Sequence, residues 1–258
     1  MKEGETLWTR EQLILAINLY CKIPFGKTHK GNPDVIHLAN LIGRTPSAVA
    51  RKLGNFANFD PSLKARGVGG LPNTGKLDKI IWDQFYDNWE ERAYESEKLR
   101  AEFEKKAIDQ TIDLSDVDIK EGKEKERLVK VRVNQSFFRS MILASYNLSC
   151  CITGITNTSL LVGSHIVPWA EDKENRLNPR NGLCLNTLHD KAFDLHLFTV
   201  TPDLKIVLSK RLKKEKKNIF IQQNFLEYEG KQIIEPRKFL PDEALLSVHN
   251  KKFNSLNS

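Results

Sequence analysis

The chain contains no run of eighteen or more apolar residues, the minimum for a transmembrane helix. Its opening stretch, MKEGETLWTR, lacks the apolar segment of a secretory signal. A cytoplasmic protein with no membrane partner is therefore expected. Cysteine is scarce. Cys21, Cys150, Cys151 and Cys184 include one adjacent pair and no Cys-x-x-Cys, which argues against a disulfide framework and a four-cysteine zinc site. Buried reduced thiols are the expectation. No Gly-x-Ser-x-Gly elbow surrounds Ser164, so the Ser164-His165 pair does not read as a serine hydrolase.

What is present is ordinary globular material, 258 residues with 40% hydrophobic content, enough for one or two domains. The net charge of +7 and an isoelectric point near 9.1 allow a polyanionic partner. Basic residues gather at Lys22 to Lys30, Arg44 to Lys52, Lys64 to Arg66, Lys120 to Arg139 and Lys205 to Lys217. An N-terminal and a C-terminal basic zone imply two contacts with nucleic acid.

Three helical patterns open the chain. Behind Thr9, a good N-cap, Leu13, Ile17, Tyr20 and Cys21 form the apolar stripe of an amphipathic helix. Pro33 then starts a second helix, with Val35, Leu38, Ala39 and Ile42 inward and Gly43 ending it. Thr45 and Pro46 start a third, with Ala48, Val49 and Leu53 inward and Arg44, Ser47, Arg51 and Lys52 left polar or cationic. A Gly-closed turn before a displayed, basic helix suits insertion into a major groove. Over about residues 6 to 60 this resembles the Myb/SANT helix-turn-helix, through Trp8 and Gly43-Arg44-Thr45. The resemblance implies DNA contact by Arg44, Arg51 and Lys52, or protein binding instead.

Pro61, Pro72 and four glycines make residues 61 to 78 a mobile loop on sequence grounds. Ile81, Phe85, Trp89 and Tyr94 predict one or two helices to Lys106. Residues 107–128 have the alternating charge of a linker, or of a helix built on Glu-Lys pairs. The expected division is a helical domain over 1–106, a charged linker over 107–128 and a second domain over 129–258. The second domain opens with a helix through Phe137, Phe138, Met141, Ile142 and Tyr146, capped by Asn134 or Ser136, with Arg132 and Arg139 available to phosphate.

Ser159 to Pro168 reads as a strand and Asn181 to Leu185 as a second, forming a hairpin with a long loop. Thr187 can cap the next helix, with Leu188, Ala192 and Leu195 inward. Asp190 and Asp194 then share a face, roughly 40° apart at about 100° per residue. Hard oxygen ligands one turn apart suit Mg²⁺ or a similar divalent ion, with Mn²⁺ an alternative. His165, on the strand facing this helix, is the candidate general base.

The blocks SHIVPW, NPRNGLCLN and LHDKAFD resemble the HNH endonuclease family, over about residues 129 to 210. The resemblance implies a ββα-metal fold with His165 as base, Asn181 as the residue bracing the loop, and His189, Asp190 and Asp194 as candidate metal ligands. Which of His189 and Asp190 ligates stays open. Many family members carry Asp or His directly before the base, where it binds metal; this chain has Ser164, and a hydroxyl is a weak ligand. His29, His37, His196 and His249 lack such company and read as structural or surface residues.

Beyond the site, Phe198 to Thr201 and Lys205 to Leu208 read as a β-hairpin. Lys213 and Lys214, within a longer basic cluster, are candidates for gripping the DNA backbone. Residues 218–258 show a strand-like Ile219-Phe220-Ile221 and a polar tail. The expectation is an α+β protein acting as a metal-dependent endonuclease on double-stranded DNA, in bacterial restriction or defence by family analogy alone. The alternative is a DNA-binding regulatory protein with an inactive HNH domain; an enzyme guided by a protein partner is a third reading. A twofold-symmetric cut requires a homodimer or two binding events.

Overall fold

The computed structural model describes residues 7–71, 74–111 and 122–257. The chain is α+β and divides into two compact units, Met1–Met141 and Ile142–Ser258. Among the described residues no helix is long and apolar enough to cross a membrane.

The first unit is helical: α1 (Arg10–Lys22), α2 (Pro33–Leu41), α3 (Pro46–Ala57), α4 (Pro61–Ala65), α5 (Lys76–Asp87), α6 (Trp89–Phe103) and α7 (Lys123–Ser145), which runs on past the division. α1 starts at a capping box, in which Thr9 accepts from Gln12 N–H and the Gln12 side chain accepts from Thr9 N–H. Its predicted stripe is buried. α2 and α3 begin with Asn32-Pro33 and Thr45-Pro46, each cap side chain accepting a backbone N–H, and Gly43 turns between them at φ 67°. Tyr20, Phe56 and Trp82 meet in the core at ring separations of 5.8 to 6.4 Å. Burial of each such side chain contributes about 1.5–3 kcal/mol.

Two expectations change here. Part of the predicted loop at 61–78 is helical, because Asp60 accepts from Ser62 N–H and Pro61 is preset for a first turn; residues 72–73 lie outside the described set. The helix expected to start at Asn134 or Ser136 already runs from Lys123. Asn134 is buried inside it and donates to the Glu90 carbonyl at 3.3 Å, so the side chain serves packing rather than capping. Of the predicted linker, residues 112–121 lie outside the described set; a 3-10 turn covers Ile108–Thr111 and α7 has begun by Lys123.

The second unit contains β1 (Leu161–His165) paired antiparallel with β2 (Gly182–Asn186), then α8 (Thr187–Asp194). The predicted hairpin follows as β3 (Phe198–Val200) and β4 (Ile206–Leu208). The chain ends with α9 (Lys210–Lys214), α10 (Ile219–Asn224) and α11 (Glu243–Asn257). The strand-like Ile219-Phe220-Ile221 is helical, entered through Asn218, whose side chain accepts from Phe220 N–H. The expected polar tail includes α11, which buries Leu246 and Phe253 and ties Asn250 to the Val200 carbonyl at 2.7 Å.

Candidate active site

β1 and β2 pair in regular register, with Ser164 opposite Leu183 and His165 opposite Gly182. Alternation along a strand sends neighbouring side chains to opposite faces. Ser164 is buried with its Oγ unpartnered, while His165 stays half-buried. The serine therefore does not share the histidine's face.

After β1 the chain makes the long loop that Asn181 holds. Its backbone carbonyl accepts from Ile166 N–H at 3.0 Å, and its side-chain oxygen accepts from Val167 N–H at 2.8 Å. Its amide donates to the carbonyls of Val167 and Asn175, each at 3.1 Å. With 0% exposure, Asn181 satisfies its amide entirely within the protein. These bonds join both ends of the loop to the start of β2.

The same loop orients His165. Its Nε2 lies 2.9 Å from the Arg176 carbonyl. A carbonyl can only accept, so Nε2 carries the proton and Nδ1 holds the lone pair of the neutral ring. Arg176 in turn donates from Nε to the Trp169 carbonyl at 2.9 Å and lies 5.4 Å over the Trp169 ring, which meets His165 edge-on at 5.6 Å. Burial lowers the pKa of His165, against the opposing pull of the Arg176 carbonyl and of Asp190. The ring is thereby kept neutral at lower pH than an ordinary imidazole.

α8 is capped by Asn186, not by the expected Thr187; the Asn186 side chain accepts from His189 N–H at 2.8 Å. Its inner face is also different from the predicted one. His189, Ala192 and Phe193 are buried, whereas Leu188 and Leu195 are exposed. The reason is the aromatic wall on that side, where Phe198, Phe225 and Tyr228 pack edge-on to His189 at 5.1 to 6.2 Å.

That rotation separates the three ligand candidates. His189 is 1% exposed and its Nε2 donates to the Asn224 carbonyl at 2.6 Å. The aromatic wall encloses the ring, and its Nδ1 is buried. Burial pushes the neighbouring Cys150 thiol up, but hydrogen bonds with His189, Thr153 and backbone amides bring it to about 7. Cys151 and Cys184 are also buried.

Asp190 and Asp194 remain toward the outside of α8. Burial raises the pKa of Asp194, and the like charge of Asp190 raises it further. Among the described residues, no three His, Cys, Asp or Glu side chains form a ready metal cage. The donor set fits a hard divalent ion held by two carboxylates and water, since a cation would relieve their repulsion. His165 and Asp194 line one cavity of about 310 Å³, with Glu171, His196, His249 and Lys252 on its other walls. Sequence reading missed the Arg176 carbonyl, a backbone group without a sequence signal, and did not place His196 in the lining of this cavity.

The basic candidates also separate. Lys52 is 9% exposed, and its ammonium contacts both carboxylate oxygens of Asp78 at 2.8 Å. That buried pair corrects its reading as a DNA contact. Arg44 is committed as well, stacked 5.0 Å from the Trp8 ring and bonded to Gln12 and the Leu7 carbonyl. Arg51 is exposed on α3, Arg139 is exposed and Arg132 half-exposed on α7. Lys213 pairs with Glu229 at 2.7 Å, while Lys214 is exposed beside it.

Residues 150–201 match the family model described as HNH endonuclease. At family level this match supports nuclease activity, and DNA as the substrate, for the β1–β2–α8 segment. No curated protein matches the chain.

Proposed function

We propose that the protein is a divalent-metal-dependent DNA endonuclease that hydrolyses phosphodiester bonds. The observation carrying this reading is the His165 ring, whose Nε2–H is committed to the Arg176 carbonyl while Asp194 lines the same cavity. Nδ1 of His165 takes a proton from the attacking water, and the Arg176 carbonyl holds the ring in place through that step. Asn181 keeps the loop carrying Arg176 in register with β2. Asp190 and Asp194 would hold the divalent ion, Mg²⁺ or Mn²⁺, which when bound supplies positive charge for the leaving oxygen of the phosphodiester.

On this reading the first unit engages the duplex through α3 in the manner of a Myb-like helix-turn-helix, with Arg51 as its exposed cation. Arg132, Arg139 and Lys214 add backbone contacts. A bacterial restriction or defence role rests on analogy with the family, and a double-strand cut would engage a homodimer or two successive binding events.

Cleavage of supercoiled plasmid in Mg²⁺, Mn²⁺ or EDTA tests the metal assignment. The native chain is expected to nick only with a divalent ion. Asp190→Asn/Asp194→Asn should cut at least about 10²-fold more slowly, because the charge that holds the ion is removed. Full activity in EDTA, or an unaffected double variant, would contradict it.

A further inference from the structure

His196 follows Leu195, the C-terminal cap of α8, at φ 49°, a left-handed conformation that glycine adopts more readily than L residues. Its backbone is tied down, with N–H donating to the Phe193 carbonyl at 2.9 Å and its carbonyl accepting from Asn257 at 3.1 Å. The residue is 8% exposed, and its Nδ1 is buried without a hydrogen-bond partner. It lines the cavity that contains His165 and Asp194.

The neighbouring histidine is committed. His249 stacks parallel on Phe193 at 3.8 Å, and its Nε2 donates to the Phe193 carbonyl at 3.4 Å. Its Nδ1 therefore accepts from the Thr199 hydroxyl at 2.8 Å. Its ring backs His196 at 4.5 Å. Among the described residues no comparable set of bonds engages the His196 ring.

A buried N–H without an acceptor is among the rarest defects in proteins, and an unfilled lone pair is better tolerated. The proton of neutral His196 accordingly sits on Nε2, leaving the lone pair on the buried Nδ1. With Nδ1 sealed off, Nε2–H is the group the ring can offer to the cavity. Lys252 brings an ammonium to the lining, paired at 2.7 Å with Glu171, whose carboxylate lines the same cavity. An imidazole N–H and an ammonium match the non-bridging oxygens of a phosphodiester.

We propose that His196 is a catalytic residue that donates a hydrogen bond from Nε2–H to a non-bridging oxygen of the scissile phosphodiester as negative charge builds there. No proton is transferred; the base remains His165. This assignment rests on the nuclease reading and adds a substrate contact to it.

The test compares native chain, His196→Gly, His196→Asn and His165→Ala in plasmid cleavage, thermal melting and DNA affinity in EDTA. Glycine suits the positive φ, so His196→Gly should melt at or above the native midpoint. It should lower kcat about 10²-fold, as loss of one preorganised donor does, with KM and affinity within about twofold. Asparagine tolerates the left-handed region and restores an amide N–H, so it should recover part of that loss. Native-like cutting by His196→Gly, with His165→Ala inert, would overturn this assignment alone. Joint loss of melting midpoint, affinity and rate would make the role structural and overturn it too, as would an asparagine variant no better than glycine. A native chain that cuts under no divalent ion would overturn the nuclease reading and this contact with it.

Discussion

A histidine serves as a base through whichever ring nitrogen retains its lone pair, and in this protein one backbone carbonyl decides which that is. The Arg176 carbonyl fixes His165 in the Nε2–H form, so the proposed base role falls to Nδ1. The same reasoning separates the other histidines. His189 spends its Nε2–H on Asn224 inside an aromatic wall, and His249 is held between Thr199 and Phe193. Burial, together with charge on the neighbouring His196 when it is protonated and on Lys252, drives the pKa of His249 from the ordinary 6.5 to about 3, against the Phe193 carbonyl. The unfolded chain takes up this proton near 6.5 and the folded one near 3. Stability from this group is therefore complete above the ordinary value and declines as pH falls toward the folded value. An NMR titration should show the His249 ring neutral at pH 5; a midpoint near 6.5 would contradict that packing.

Among the elements, α3 shows how a cation on a predicted display helix can be structural. Lys52 closes a buried pair with Asp78, which also accepts from the Gly75 backbone N–H at 3.0 Å and so ties α3 to the start of α5. Removing one partner of such a pair leaves an uncompensated charge and costs about 3–5 kcal/mol. Lys52→Ala should therefore lower the chemical-denaturation midpoint of the first unit. Arg51→Ala should leave that midpoint unchanged and weaken DNA binding at fixed low salt. Equal affinity of Arg51→Ala and native chain would count against groove contact by α3.

These elements also show what was legible in the sequence. The stripe of α1 and the caps of α2 and α3 were readable because local hydrogen bonds and helical spacing define them. The β1–β2 pairing was readable because two short apolar runs flank a turn-rich loop. The inward face of α8 was not, since Leu188 and Leu195 fit the period as well as His189 and Phe193 do. Only the aromatic wall from distant residues selects between the two faces. The buried fate of Lys52 was hidden for the same reason, its partner Asp78 lying in another helix. His165, Asp190 and Asp194 could be named as candidates by type and order, whereas the Arg176 carbonyl bonded to the His165 ring could not.

For the whole molecule, a helical unit with exposed Arg51 and a second unit carrying the His165 cavity lie on one basic chain of net charge +7. Its exposed cations in both units are consistent with a polyanionic duplex as the common partner. The proposed nuclease reading, as against a binding protein, turns on His165 as the proton acceptor in the cavity. The most direct measurement is single-turnover cleavage of supercoiled plasmid in Mg²⁺ or Mn²⁺ by native chain and His165→Ala, with both proteins shown to be folded. The native chain should nick the plasmid, and His165→Ala should be slower by about 10²–10⁴-fold, the contribution of a general base. Equal nicking by both would contradict the assignment of His165, and an inert native chain would contradict the nuclease itself.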